Sequence, residues 1–567
     1  MQILVDQTPF QEKITPERRD VHQQPDREAA RVVACNGSRA TIAAHVSDTP
    51  GTNSDIWSIG RLISISNGAS RLVGLVYEMR IATPTWEESK PNVMLVEVEL
   101  VGEVVELEGG KSLFRRGIST YPVIGAHAHR IRASDLALVH DLGDRSSVVI
   151  GTLSQDDDIP ATVCIDDMLS RHFAVLGTTG VGKSSAVALL LRRCVEAKRN
   201  LRVLILDPHN EYARAFPDNS IRIDASSLDL PFWMFRFDEF SDVVFRGRPS
   251  NEEEVDILRD MIAAAKSRYK VASTSDHATS LLRKQSDGGS FTADSTVPYR
   301  INDVISLIDE MIGLLEPRYN RSHLRSLKVR IEGLYNDPRY RFMFAKAQGG
   351  DTSEQVIGQI FRIPHEGKPI TVFQLAGLPS EVVNSVASVL SRLAFDLAVW
   401  SHGRYEILLL CEEAHRYVPE DQKFGFGPTR TAIAKIAKEG RKYGCYLGVV
   451  TQRPGELDPT ILSQCSTVFA MRLANDRDQQ IIRSAIADSS ASTISFLSSI
   501  GNREAIAFGE GIAMTMRMRF ETIPQRHLPS MGTQVLSEGS PLASHDVTVY
   551  EIMSRMRASQ NHDRNGF

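Results

Sequence analysis

One segment limits the possible folds of this chain more than any other feature: LGTTGVGKSSAV, residues 176–187. It contains the pattern G-x-x-x-x-G-K-[ST] at 177–184, with the apolar run FAVL before it and AVALLL after it. The first run predicts a buried strand, and the second predicts a helix. Glycines in such a loop let backbone N–H groups surround phosphate oxygens, and the helix N-terminus favours an anion. The segment therefore predicts a strand, loop and helix that bind the phosphates of a nucleoside triphosphate.

Two side chains of this loop have predicted chemical roles. The Lys183 ammonium would reach the outer phosphates, and the Ser184 hydroxyl would bind Mg²⁺. ATP with Mg²⁺ is therefore the expected ligand. The residues predicted to line the phosphate site are Gly177, Thr178, Thr179, Gly180, Val181, Gly182, Lys183, Ser184 and Ser185.

Length and composition exclude several classes of protein. A chain of 567 residues with 42% hydrophobic and 24% charged residues is expected to form more than one soluble domain. No apolar run approaches the ~18 residues of a membrane span, and the polar N-terminus is unlike a signal peptide. The six cysteines are spaced singly, which indicates neither a zinc site nor a disulfide framework. A net charge of −5 excludes a basic nucleic-acid coat protein, so any DNA contact would be local. We expect a cytoplasmic protein with no membrane partner.

Patterning along the chain predicts four regions. From Arg31 to about Ile150, short alternating apolar runs are separated by turn dipeptides such as Asn36-Gly37 and Asn67-Gly68, which favour β-hairpins. These runs predict a small β-barrel. The predicted regions are a flexible arm over 1–28, a β-barrel domain over 29–150, an ATPase core over 151–530 with a helical insertion at about 225–364, and a C-terminal tail over 531–567.

After the phosphate loop, buried strands alternate with helices, a pattern typical of a parallel sheet covered on both faces. The predicted fold class is therefore α/β: a RecA-like P-loop NTPase core with a parallel sheet, an N-terminal small β-barrel and a helical insertion. A late hairpin is predicted over 503–520. The predicted core strands are LRVLILD (201–207), ITVFQLAG (370–377), EILLLCEEA (406–414), CYLGVVTQRP (445–454) and TVFAMRL (467–473).

Two acidic residues end the predicted strand EILLLCEE, where a second motif of nucleotide hydrolases is expected. In that arrangement Glu412 belongs to the metal shell, and Glu413 orients and activates the attacking water. The alternative is a strand that ends in solvated acids. Asp207 and Glu211 in DPHNEY follow another apolar strand, at the sheet edge where ligands bind in open α/β folds. For Asp207 a catalytic role and a role as a helix cap before Pro208 both stay open.

Three further polar residues are candidates for the nucleotide site. Gln452 in TQRP ends a strand, from which its amide could hydrogen-bond the γ-phosphate or its water. Arg441 lies near the end of the basic segment AKIAKEGRKYG, and such a cluster usually compensates the helix dipole. An arginine that neutralises transition-state charge is worth roughly 10³–10⁵ in rate in other phosphoryl-transfer enzymes. Arg441 and Arg171 are the candidates for that role.

Five motifs together resemble the HerA branch of the HerA/FtsK ATPases: SRHFAVLGTTGVGKS, ILDPHNEY, LLCEEAHRYVP, EGRKYG and VVTQRP. The resemblance extends from about residue 30 to 530, and the β-rich N-terminus and helical insertion are also similar to that family. It implies a homohexameric ring that moves double-stranded DNA through its centre. It also implies a partner encoded nearby: a NurA-type nuclease, or a sirtuin-like NADase or nuclease effector in antiphage defence.

The resemblance further implies roles for single residues. Arg441 would act on the neighbouring subunit's nucleotide, and Arg171 would also lie at the nucleotide site. Glu412 departs from the family's frequent Asp, and QLAGLP stands where an acidic strand end is often seen. The residues that would serve the subunit's own nucleotide are Lys183, Ser184, Asp207, Glu413 and Gln452.

The sequence leaves functions of different classes open. The first is a motor, an ATP-driven DNA translocase that feeds a partner nuclease. The second is an assembly protein, whose hexamer scaffolds and activates an effector enzyme while its ATPase serves regulation. A related secretion or conjugation ATPase is a third hypothesis, disfavoured because the barrel and insertion fit the HerA layout better.

Overall fold

A computed structural model of the chain describes residues 30–45, 57–83, 92–107, 110–224, 227–246, 251–275, 291–315, 318–344, 351–376, 378, 380–421, 423, 425–485 and 497–529. Contacts divide the described residues into two compact units. The first is drawn from Met1–Met168, Leu176–Val181 and Ser466–Glu521, and the second from Leu169–Val175, Gly182–Cys465 and Thr522–Phe567. The predicted arm at 1–28 and tail at 531–567 lie outside the described residues, and the predicted domain boundaries stay predictions.

The strands of the described residues are β1 (Ala30–Asn36), β2 (Arg39–His45), β3 (Leu62–Asn67), β4 (Ser70–Ile81), β5 (Val93–Glu106), β6 (Ser112–Arg116), β7 (His127–Arg130), β8 (Ser147–Leu153), β9 (Asp156–Cys164), β10 (Phe173–Leu176), β11 (Leu201–Asp207), β12 (Ser220–Ile223), β13 (Ile370–Gln374), β14 (Glu406–Glu412), β15 (Cys445–Thr451), β16 (Thr467–Ala470), β17 (Glu504–Gly509) and β18 (Met516–Phe520). The α-helices are α1 (Ala133–Val139), α2 (Ile165–Ser170), α3 (Lys183–Ala197), α4 (Phe237–Phe245), α5 (Glu252–Ser275), α6 (Ile301–Gly313), α7 (Arg321–Tyr335), α8 (Arg341–Phe344), α9 (Ser353–Ile360), α10 (Ser380–Trp400), α11 (Gly427–Glu439), α12 (Pro459–Gln464) and α13 (Asp476–Ala485).

The first unit contains an antiparallel barrel. Its described strands follow the order β2-β1-β7-β3-β4-β5-β6, and β2 also pairs with β5 from Arg39↔Glu99 to His45↔Val93, which closes the sheet. Two hairpins turn at Gly37 (φ 58°) and Gly68 (φ 62°), a left-handed conformation that glycine adopts without a steric penalty. Alternate apolar side chains of these strands fill the interior. The barrel prediction is confirmed, and the Asn-Gly dipeptides mark its turns.

Five further strands of the first unit follow the order β16-β17-β18-β8-β9 within the described residues. β17 and β18 form an antiparallel hairpin, with Glu504 opposite Arg519. This is the late hairpin that the pattern at 503–520 predicts. β18 continues the pairing to β8 through Met518↔Leu153.

The second unit contains the core sheet, in the strand order β12-β13-β11-β14-β15-β10. β11 pairs with β14 in parallel from Leu201↔Glu406 to Leu206↔Cys411, and β14 pairs with β15 in parallel from Ile407↔Cys445 to Glu412↔Val450. Every residue of β11 and β15 is buried, which explains their near-continuous apolar sequences. The carboxyl ends of these strands therefore meet at one edge, and their amino ends meet at the other. The predicted α/β fold class is confirmed.

The predicted helical insertion lies between β12 and β13 and contains α4 to α9. Its longest helix, α5, packs against α6 and α7, and α4 packs against α10, which follows β13. Amphipathic spacing drives this packing: in α7 the residues Leu324, Leu327, Ile331 and Leu334 are buried on one face.

Among the described residues, one helix is long and apolar enough to cross a membrane by length and composition alone. It is α10, in which Val382–Trp400 forms the apolar stretch. In this fold 72% of that stretch is buried inside the protein, where α10 packs on β14, β15 and α11. Asn384, Arg392 and Asp396 interrupt the stretch, so it is not a continuous apolar run, and its packing is that of a core helix.

Candidate active site

The phosphate loop joins β10 to α3 through two glycines with positive φ. Gly180 has φ 79° and Gly182, the residue before α3, has φ 101°. Both values lie in the left-handed region that residues with a Cβ rarely adopt, so the motif needs glycine at these positions. The first turn of α3 contains no acidic residue. The start of this helix therefore has no negative side chain that would oppose a bound anion.

Lys183 opens α3 and has a largely buried side chain, 7% exposed. Burial lowers the pKa of its ammonium, while the nearby carboxylates of Glu412, Glu413 and Glu211 act in the opposite direction. These three acids come from the ends of two different strands. The structure therefore brings the predicted phosphate lysine together with the predicted acidic residues at the carboxyl edge of the core sheet.

Ser184 is hydrogen-bonded to an acid that the sequence left without a role. Its Oγ donates to Glu211 Oε2 at 2.8 Å. Glu211 belongs to the turn DPHNEY that follows β11, so this turn contacts the start of α3 directly. Hydroxyl and carboxylate oxygens from Ser184, Glu211 and Glu412 are a donor set that suits Mg²⁺, which prefers oxygen ligands. The residues present fit the predicted ion.

Asp207 is fully buried and organises the turn that follows β11. Its Oδ1 accepts hydrogen bonds from the backbone N–H groups of His209 (3.3 Å) and Glu211 (3.2 Å), and its Oδ2 accepts from that of Tyr212 (2.9 Å). Burial raises the pKa of this carboxyl, and the three N–H donors oppose the shift. Residues 208–215 form turns and no helix, so Asp207 caps a turn and the helix-cap interpretation is wrong. A role toward nucleotide stays a prediction.

Tyr212 holds the first acid of the consecutive pair. Its buried hydroxyl donates to Glu412 Oε2 at 2.7 Å. Glu412 is 3% exposed, and burial raises the pKa of its carboxyl well above the ordinary value. The Glu413 carboxylate raises it further, whereas the Tyr212 hydroxyl and the Lys183 ammonium lower it. No local pattern singles out Tyr212, because its partner Glu412 lies on a strand 200 residues away in the chain.

The chain reverses direction immediately after β14. Glu413 has φ 51° and ψ 51°, in the left-handed region, and a short 3₁₀ helix, Ala414–Arg416, follows it. This turn brings His415 back toward the acid: His415 Nδ1 lies 3.4 Å from Glu413 Oε2. The same nitrogen is hydrogen-bonded to Thr451 Oγ1 at 2.9 Å. Burial lowers the pKa of His415, and the Glu413 carboxylate opposes that shift.

Gln452 follows β15 at the same carboxyl edge, next to Thr451. Its side chain is half-buried. Its position in the fold is the one that the sequence predicts, and its contact with a phosphate or water stays a prediction.

The two arginine candidates lie elsewhere. Arg441 is exposed in the 3₁₀ helix Gly440–Tyr443, before β15 begins. Seven strand residues separate this turn from the carboxyl edge, which corresponds to about 20 Å. Arg171 precedes β10 at its amino end, beside His172, whose ring accepts from Leu447 N–H and donates to the Ala437 carbonyl. The fold therefore does not bring either arginine to the subunit's own phosphate loop.

These features define a P-loop ATPase: a glycine loop ending in a buried lysine, two consecutive acids at the end of core strand β14, and a parallel sheet. Residues 148–394 match the family described as Helicase HerA, central domain. Over 436 residues the chain is 27% identical to the DNA double-strand break repair helicase HerA of Pyrococcus furiosus, a match that covers 68% of this chain and 72% of that protein.

Two further proteins show similarity. A probable helicase of Methanocaldococcus jannaschii is 24% identical over 451 residues, which covers 78% of this chain and 79% of that protein. The solved structure of VirB4 of Thermoanaerobacter pseudethanolicus is 16% identical, with a TM-score of 0.45, and the match covers 68% of this chain and 98% of that one. The chain is therefore similar in sequence to HerA helicases, and its residues 148–394 resemble the central domain of that family.

Proposed function

We propose that this chain is an ATP-driven translocase or helicase on double-stranded DNA that works as a homohexameric ring. The observation that carries the ring is the position of Arg441, exposed at the amino edge of the core sheet, far from the subunit's own phosphate loop. An arginine there can neutralise phosphate charge only on a neighbouring copy of the chain. Arg171 lies at the same edge, and any nucleotide contact it makes would also be to a neighbour.

Duplex DNA is the proposed substrate because the P. furiosus relative is named a DNA double-strand break repair helicase. The formal net charge of −5 places such contacts in local segments, as in a pore, and predicts sequence-independent, salt-sensitive binding. We further propose that the chain works with a partner nuclease or sirtuin-like NADase. The proposed role is antiphage defence or DNA-end processing, and the proposed location is the cytoplasm.

In the proposed reaction, Lys183 and the loop N–H groups hold the phosphates of ATP. Glu413 accepts a proton from the water that attacks the γ-phosphorus, while the bond from that phosphorus to the leaving ADP oxygen breaks. Gln452 is proposed to orient the same water, and Arg441 of the neighbouring copy to stabilise the charge on the transferring phosphoryl group. Mg²⁺, when bound near Ser184 and Glu412, supplies further neutralisation of phosphate charge.

The experiment that tests the motor is ATP hydrolysis by the wild-type chain with and without duplex DNA, alongside displacement of a third strand from a triplex substrate. We expect duplex DNA to stimulate hydrolysis and displacement to require ATP, with Lys183→Ala inactive in both assays. A hexamer that hydrolyses ATP at the same rate with and without DNA, and displaces nothing, would favour the scaffold that activates an effector.

A further inference from the structure

Glu413 has one carboxylate oxygen without a hydrogen bond. Its residue is 5% exposed, and among the described residues its Oε2 is buried with no hydrogen-bond partner. Burying a carboxylate oxygen without a hydrogen bond raises the free energy of the folded state. A hydrogen bond to it is therefore worth more than one formed at the surface. His415 Nδ1 lies 3.4 Å from this oxygen, within reach of a hydrogen bond but without the alignment of one. A small rotation of the imidazole that shortens and aligns this contact makes it a hydrogen bond.

The same nitrogen already has a second partner at the end of β15. Thr451 Oγ1 lies 2.9 Å from His415 Nδ1 and accepts a hydrogen bond from Arg453 N–H at 3.0 Å. A threonine hydroxyl has two lone pairs, so Thr451 Oγ1 can accept from Arg453 N–H and from His415 Nδ1–H together, and Glu413 Oε2 can share that Nδ1 proton. The imidazole thus stands between the strand end that bears Gln452 and the carboxylate oxygen that lacks a partner.

We propose that His415 is a positioning residue for hydrolysis: its Nδ1–H holds Glu413 Oε2, leaves Oε1 for the attacking water, and ties that carboxylate to Thr451 beside Gln452. This inference rests on the proposed role of Glu413 as the general base. In apo structures catalytic hydrogen bonds are often long and shorten only when substrate is bound, which agrees with the 3.4 Å contact. His415 also lines a cavity of about 530 Å³ with Asn384 and Tyr417, so the ring has open space on one side in which to turn.

Two substitutions distinguish the nitrogen that acts. The amide nitrogen of His415→Asn can occupy the approximate place of Nδ1, whereas that of His415→Gln reaches the place of Nε2. We expect His415→Ala to lower kcat by about 10–100-fold, the usual effect of removing a partner that orients a site residue. Binding of a fluorescent ATP analogue and the melting temperature should stay close to wild type. His415→Asn should recover most of kcat, and His415→Gln should not.

The hydroxyl link has its own pair of variants. Thr451→Val removes the hydroxyl at constant shape and should lower kcat several-fold, while Thr451→Ser keeps the hydroxyl and should behave as wild type. His127→Ala, at an exposed histidine of β7, serves as the control for a lost imidazole. In a Glu413→Gln background His415→Ala should cause no further loss, since both act on one carboxylate.

Each outcome decides the inference. If Glu413→Gln is inactive and His415→Ala keeps wild-type kcat, the inference is wrong and the proposed function stands. If kcat, nucleotide binding and melting temperature fall together, or if His415→Gln is as active as His415→Asn, the residue is structural and the inference is again wrong. If Glu413→Gln hydrolyses ATP normally, the proposed role of Glu413 fails first.

Discussion

The two edges of the core sheet differ in whether their charged side chains have partners within the same chain. At the carboxyl edge Lys183, Glu412 and Glu413 are buried, and the carboxylates of Glu211 and Glu412 accept hydrogen bonds from Ser184 and Tyr212 of the same chain. At the amino edge Glu406 is also satisfied inside the chain, by Lys198 and Tyr446. Arg441 beside it differs: it is exposed, and within the described residues no hydrogen bond or ion pair involves its guanidinium.

The difference separates what one subunit supplies from what it lacks. The carboxyl edge has a phosphate loop, acids for water and metal, and a candidate positioning imidazole, so a single chain can bind nucleotide. Neither Arg441 nor Arg171 lies at that edge. We infer that nucleotide binding is a property of the subunit and that fast hydrolysis is a property of the assembly.

The largest effect is expected from Lys183→Ala at the carboxyl edge. Loss of the ammonium leaves the outer phosphates without their point charge, so ATP turnover should fall to background. Phosphate release measured at saturating ATP checks this, with Lys368→Ala, at an exposed loop lysine, as the matched control. If Lys183→Ala turns over ATP near the wild-type rate, the phosphate loop is not part of the active site.

Arg441→Ala tests the contribution of the amino edge to hydrolysis. It should assemble and bind ATP but lose about 10³–10⁵-fold in turnover, because the transition-state charge loses its arginine. Lys442→Ala, the exposed neighbour in the same 3₁₀ turn, is the control and should stay active.

Mixed assemblies of Arg441→Ala and Lys183→Ala subunits sharpen the same point. Some interfaces then pair an intact phosphate loop with an intact arginine from the next subunit, so partial activity should return. Full activity of isolated monomers, or no recovery after confirmed subunit exchange, would show that Arg441 does not act in trans.

Glu413→Gln is expected to keep ATP binding and lose about 10²–10⁴-fold in hydrolysis, since an amide cannot accept the proton of the water. Binding of a fluorescent ATP analogue and phosphate release, measured on the same preparation, separate the two steps. Glu412→Gln is the matched variant one residue earlier. Wild-type hydrolysis by Glu413→Gln together with an inactive Glu412→Gln would mean that the two roles are reversed.

The smallest effects are expected from removing one hydrogen bond at each edge of the core sheet. Tyr212→Phe leaves the buried Glu412 Oε2 without a donor and should lower the local opening free energy of β14 by about 1–3 kcal/mol. Tyr446→Phe removes a donor to Glu406 Oε1, which Lys198 still holds, and should cost about 0.5–1 kcal/mol. Amide hydrogen exchange along β14 measures both, and equal effects would contradict the greater dependence of the carboxyl edge on its own hydrogen bonds.

Local patterns allowed much of the fold to be predicted. The Asn-Gly dipeptides lie at hairpin turns of the barrel, and the apolar runs at 201–207, 406–412 and 445–451 are the parallel strands β11, β14 and β15. Each of these elements depends on residues close together in the chain. Turn dipeptides and continuous apolar runs are therefore visible in the local sequence.

The candidate site was predicted only in part. Lys183, Ser184, Glu412 and Glu413 belong to motifs with a fixed chemical meaning, and the fold brings them together. Tyr212, His415 and Thr451 carry no such pattern, because their partners come from a different turn or strand. For Asp207 the sequence permitted a catalytic role and a capping role. Only the geometry of the turn reveals that its carboxylate accepts hydrogen bonds from three backbone N–H groups.

The sequence by itself determined that the chain binds nucleoside triphosphate phosphates through a glycine loop on a parallel sheet, because loop, strand and helix are contiguous and their spacing follows from backbone sterics. The tertiary structure alone decided which edge of the sheet each charged residue occupies. That depends on the direction and order of strands far apart in the chain, which no local periodicity records. It is why Lys183 and Glu412 meet although more than two hundred residues separate them, while Arg441, much nearer to Glu412 in sequence, lies at the opposite edge.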